Sequence, residues 1–133
     1  MGFRKKKVTP LSAARIDFPS GLCIKTEVGH WYINGKFRNR IGSRRIFESW
    51  NFPRVIVSSE ASLANYIKGK TLGFRDGTLV RQMSNGTFYF ISQRKRRLVT
   101  NPDVLTLMGL KPSDATWAAD FEINLHEEGE KLN

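Results

Sequence analysis

The chain has 133 residues, 40% of them hydrophobic, with 22 basic against 12 acidic side chains and a formal net charge of +10. That length makes one typical domain, or two half-size units sharing a core. No apolar run approaches the roughly 20 residues that a membrane-spanning helix needs, and the single cysteine, Cys23, excludes an internal disulfide and a cysteine-based zinc site.

Residues 1–19 carry no sustained hydrophobic period and are expected to form an extended basic arm, with Arg4, Lys5, Lys6 and Lys7 at its head and Arg15 further on. The stretch after Lys7 has no apolar h-region, so no secretory leader is expected. At the other end, Asp120, Glu122, Glu127, Glu128 and Glu130 face one base, Lys131, and the tail after Asp120 reads as polar and solvated. A basic head and an acidic tail suit nucleic-acid contact or head-to-tail packing of subunits.

A first unit, residues 20–72, begins with a strand over 22–26. A second strand follows over 30–33, and Asn34 with Gly35 predicts a tight hairpin into a third over 36–41. Ser43 is placed to cap a short helix whose apolar stripe is Ile46, Phe47 and Trp50. Pro53 ends that helix, a strand follows over 55–57, and a second short helix is expected through Leu63 and Tyr66. The second unit, residues 73–133, repeats the plan. It has strands over 78–83, 87–91 and 94–99, and a helix started by Asn101 and Pro102 and closed by Gly109. A turn at 111–114 and a strand over 115–118 complete it.

The two units match residue by residue. Ile33, Ser43, Ile46, Phe47 and Trp50 fall on Ile91, Asn101, Val104, Leu105 and Met108 at a shift of 58, and Leu63, Gly69 and Leu72 fall on Ile123, Gly129 and Leu132 at a shift of 60. The expected fold is α+β: two tandem units, each a small antiparallel sheet with a short helix, packed as one body behind the arm. Duplication of a unit of about 55 to 60 residues points to a scaffold or interaction protein before an enzyme.

The pattern from Tyr32, Ile33, Asn34, Gly35 and Lys36 through Phe52, and again from Phe88, Tyr89, Phe90 and Ile91 through Leu110, resembles a short module of bacterial cell-surface and tailed-phage structural proteins. The opening at Asp76, Gly77 and Thr78 fits the module as well, and the resemblance covers roughly residues 21–132. A two-unit chain with a basic arm is similar to phage virion proteins. The resemblance implies a structural role in a virion assembled in the host cytoplasm, among other virion proteins and copies of itself. It carries over no catalytic residue.

Chemistry-bearing motifs are weak. His30 and His126 stand in different units with no nucleophile at a recognisable spacing, and His126 beside Glu127 and Glu128 reads as solvated tail. Gly69, Lys70 and Thr71 resemble the end of a phosphate-binding loop, but the glycine required five residues earlier is Ala64. The sequon Asn85-Gly86-Thr87 is better explained as a turn. Arg44 and Arg45 at a helix start oppose the helix dipole and call for an acidic partner or for solvent. No catalytic residue, cofactor, metal or membrane contact is expected. The candidate partner-binding residues are Arg4, Lys5, Lys6, Lys7, Arg15, Arg94, Lys95, Arg96 and Arg97. The last four follow the aromatic strand at 88–90, and aromatic strand plus basic loop also suits single-stranded nucleic acid. Nucleic-acid binding and cell-envelope adhesion are therefore the alternatives to a virion role.

Overall fold

The computed structural model describes residues 15–133. It is α+β, with two five-stranded sheets and three short α-helices. In chain order the elements are β1 (Cys23–Lys25), β2 (His30–Asn34), β3 (Phe37–Ile41), α1 (Arg44–Trp50), β4 (Val55–Val57) and β5 (Ile67–Lys68). There follow β6 (Leu79–Gln82), β7 (Phe88–Ser92), β8 (Lys95–Leu98), α2 (Asp103–Leu107), β9 (Thr116–Ala118), α3 (Asp120–Ile123) and β10 (Glu127–Glu128).

The first sheet has the order β4-β1-β2-β3-β5 and the second β10-β8-β7-β6-β9. In each, three strands form an antiparallel meander and the two outer strands run parallel to their neighbours. The sheets are thus mixed, where the sequence suggested antiparallel ones. The cause is a return of the chain through a helix, or a helical turn, before each outer strand, which a parallel pairing requires.

The duplication holds at the level of single hydrogen bonds. Gly21 N–H donates to Ile33 O (2.8 Å) as Gly77 N–H does to Ile91 O (2.7 Å), and Gly69 N–H donates to Arg38 O (2.9 Å) as Gly129 N–H does to Arg96 O (2.9 Å). The first pair shows a shift of 56 ahead of the shifts of 58 and 60. The hairpin from Gln82 to Thr87 is two residues longer than that from Thr26 to Gly29, and both are closed by an equivalent backbone bond. Gly69 and Gly129 share a reason. A Cβ would stand 2.8 Å from Asn39 Nδ2 at the first and 3.1 Å from Lys95 Cβ at the second.

By packing, unit one comprises the described residues up to Gly42 together with Phe52–Leu72, and unit two comprises Ser43–Asn51 together with Gly73–Asn133. Helix α1, which lies in the first sequence repeat, therefore belongs to unit two. Unit one has a core of Ile24, Trp31, Ile33, Leu63 and Tyr66, with Phe18, Leu22 and Ile56 against it. One core cluster of unit two is Leu79, Val99 and Leu105, flanked by Phe88, Phe90 and Leu110. Burying Leu105 there contributes on the order of 2 kcal/mol.

The described part of the expected arm is tied down. Ile16 N–H donates to Ser62 O (3.1 Å), and Phe18 N–H donates to Tyr66 Oη (2.6 Å). The acidic end is not a free tail: it forms α3 and β10, and Leu132 bridges to Val99. Asp120, Glu127 and Glu128 fall at exposed positions of these elements, Glu130 is exposed just beyond β10, and Glu122 is buried.

Candidate interaction surface

Ser43 caps α1, its Oγ accepting from Ile46 N–H (3.2 Å), and Asn51 ends the helix in the left-handed region at φ 48°. Such a cap contributes about 1 kcal/mol. The same Ser43 hydroxyl donates to Glu122 Oε2 (2.5 Å). Glu122 is fully buried and also accepts from Ala119 N–H (2.8 Å) and Arg45 (3.3 Å). Arg44 pairs with Glu48 one turn on. The acidic partners that the two arginines call for are thus inside the chain.

Unit one builds a comparable knot around Glu60. It accepts from Thr26 Oγ1 (2.5 Å), Arg38 (2.7 Å) and Trp31 Nε1 (2.9 Å). Burial pushes its pKa up, but the three donors outweigh burial and hold it below the ordinary carboxylate value. The Arg38 guanidinium also lies 4.5 Å from the Trp31 ring centroid. Asp120, the counterpart of Glu60, accepts from Gln82 and Ser84, and those bonds lower its pKa.

His126 is buried and closes unit two from the inside. Its Nε2 accepts from Phe74 N–H (2.9 Å), and Nδ1 donates to Arg94 O (2.8 Å). It is the counterpart of Tyr66, whose hydroxyl serves Phe18 in the same way. Burial lowers the His126 pKa, keeping the ring neutral so that Nε2 can accept. The solvated reading of His126 fails because the ring fills the position of a core tyrosine.

The basic hairpin is divided between scaffold and surface. Gln93 and Arg94 are its two central residues, both at positive φ (52° and 64°), the pattern of a type I′ turn built without glycine. In unit one the corresponding loop is Gly35-Lys36, with positive φ at Gly35 alone, one residue on from the turn that Asn34 and Gly35 suggested. Arg94 N–H donates to Asp76 (2.9 Å), and its guanidinium stands 5.1 Å from the Trp50 ring centroid. Arg96 reaches His126 O and lies over Tyr89. Arg97 Nε donates to Glu130 O (3.0 Å). Lys95 and Arg97 line a cavity of about 370 Å³ with Ser92, Gln93, Gly129 and Glu130. Arg15 is exposed, and Arg4, Lys5, Lys6 and Lys7 lie outside the described residues.

Apolar groups sit at the surface of both units. Trp117 on the edge strand β9 is 48% exposed, and Arg81 is sandwiched between it (4.6 Å) and Phe88 (4.7 Å). On α2, Leu107 is 87% exposed and Met108 39%. Among the described residues, no group of three or more His, Cys, Asp or Glu side chains is placed to hold a metal ion, and no helix is long and apolar enough to cross a membrane. Neither protein-family models, nor curated proteins, nor solved structures match the chain.

The carboxylates at the centre of each knot escape a motif search, because their partners lie far away in sequence (Glu122 and Ser43 are 79 residues apart). The repeat held a signal for Glu60, which matches the acid Asp120 at a shift of 60, but none for Glu122, which falls on Ser62.

Proposed function

We propose that the chain is a non-enzymatic structural component of a tailed-phage virion, in neck, tail or capsid-associated position, acting through protein–protein contacts. The observation that carries this reading is one sheet topology built twice with matching backbone bonds, leaving apolar side chains of α2 and β9 in solvent. The groups that could have carried chemistry support it too. Glu60, Glu122 and His126 hold the scaffold together, and burial pushes the Cys23 thiol up to about 11. Exposed apolar surface on a rigid repeat suits contact with other subunits.

The test is mass spectrometry of particles purified from the host of the encoding genome. The chain is expected at a fixed stoichiometry to the major structural proteins. Its absence from intact particles refutes the reading.

A second reading, nucleic-acid binding, is favoured by the Lys95–Arg97 cavity and the half-exposed Trp117. It predicts binding to single-stranded DNA or RNA that weakens steeply with salt. No binding at low salt removes it.

A further inference from the structure

Helices α1 and α2 are equivalent at the shift of 58, so Ile46, Ser49 and Trp50 correspond to Val104, Leu107 and Met108. In unit two the α1 face is fully engaged. Ile46 is fully buried, Ser49 Oγ accepts from Arg75 N–H (3.2 Å), Trp50 Nε1 donates to Gly73 O (2.9 Å), and Arg94 lies over the Trp50 ring. Helix α2 uses its other side, Leu105, on its own sheet. The side that matches the docked face of α1 stands open at Leu107 and Met108.

The surface that receives α1 is formed by Gly73, Arg75, Arg94 and Glu122. The repeat shifts place Asp17, Pro19, Lys36 and Ser62 at the same positions of unit one; Asp17, Pro19 and Lys36 are exposed, and Ser62 is fully buried beneath them. The differences between the two sets are matched. Where Ser49 satisfies Arg75 N–H, α2 carries Leu107 and unit one carries Pro19: one lacks an acceptor, the other lacks a donor. Where Arg45 meets Glu122, α2 carries Asp103 and unit one the neutral Ser62. Asp103 against a carboxylate at that position would be repelled, so the change of charge on the helix comes with loss of the carboxylate it would meet there.

We infer that the open face of α2 docks on a second copy of this chain, at the unit-one surface around Asp17, Pro19 and Lys36, repeating between molecules the seat that α1 occupies within one. The contact joins two unlike patches, so it repeats around a ring, the smallest being two copies that exchange it, or along an open row. This deepens, and rests on, the structural reading above.

The test is sedimentation velocity of the full chain from micromolar to near-millimolar concentration. Self-association is expected to grow with concentration. Leu107→Glu, with Leu107→Ser as a milder change, weakens association by more than about tenfold, and so does Pro19→Glu. Both residues are exposed, so circular dichroism melts should match the parent. An equimolar mixture of L107E and P19E retains one working seat per pair and forms a dimer that does not grow. A parent that stays monomeric, oligomers indifferent to L107E, or variants that fail to pair when mixed overturn the inference. A chain that is monomeric yet present in particles rejects this contact and leaves the virion reading standing. One that self-associates but is missing from particles does the reverse.

Discussion

Glu122→Ala should be among the most damaging single changes in unit two. The carboxylate is fully buried and accepts from Ser43 Oγ at 2.5 Å and Ala119 N–H at 2.8 Å. Hydrogen bonds to a charged group contribute about 1.5–3 kcal/mol each, and truncation leaves both donors without that acceptor. The contact with Arg45 adds little, because the Arg45 side chain is 44% exposed and its contact is longer, at 3.3 Å. The sum is about 3–6 kcal/mol for Glu122→Ala, against about 1 kcal/mol or less for Arg45→Ala. Urea unfolding followed by tryptophan fluorescence measures both, since Trp50 and Trp117 report on unit two and Trp31 on unit one. The double variant should cost little more than Glu122→Ala alone. A loss below about 1 kcal/mol for Glu122→Ala would refute the reasoning, since that is no more than a surface ion pair contributes.

Because burial depresses the His126 pKa, the unfolded chain binds more protons than the folded one below the unfolded value of about 6.5, and stability falls as pH drops through that point. The urea midpoint should decrease between pH 7.5 and 5.5, and His126→Asn, though less stable throughout, should flatten that dependence; an unchanged slope sinks the assignment. Gln93→Gly removes a side chain from positive φ and should stabilise the hairpin by about 0.5–1 kcal/mol, read as a raised Tm. The same change at Arg94 gives up the Trp50 contact and should bring no gain. The buried Cys23 thiol should react with a disulfide reagent only when unit one is unfolded by urea; rapid labelling of the native chain would contradict its burial.

The local grammar of the fold was legible. The cap at Ser43, the left-handed Gly109, the strand at 55–57 and the repeat register all follow from short-range rules. The parallel outer strands were not, because β5 and β10 are two residues long and gain their place only by pairing with β3 and β8. His126 and Glu122 misled for a related reason. Exposed acids stand within two residues of each (Asp120 for Glu122, Glu127 and Glu128 for His126), and only long-range closure puts the two inside. The basic run at 94–97 looked like one patch. The strand alternates its residues between the two faces of the sheet, so Arg96 reaches an interior carbonyl while Lys95 and Arg97 line the cavity.

The chain enters unit two at Ser43, leaves after Asn51 and returns at Gly73. A cut between the sequence repeats therefore yields no self-sufficient piece. Residues 73–133 alone would lack the donors at Ser43 and Arg45, and residues 1–72 alone would carry an orphaned helix. Birth on the ribosome meets the same difficulty. The Ser43 hydroxyl waits 79 residues for its carboxylate, which at roughly 5–20 residues per second is about 4–16 seconds of synthesis. Throughout that interval the seat of α1 is incomplete, so the nascent chain is open to wrong pairing and to chaperones until Glu122 has emerged.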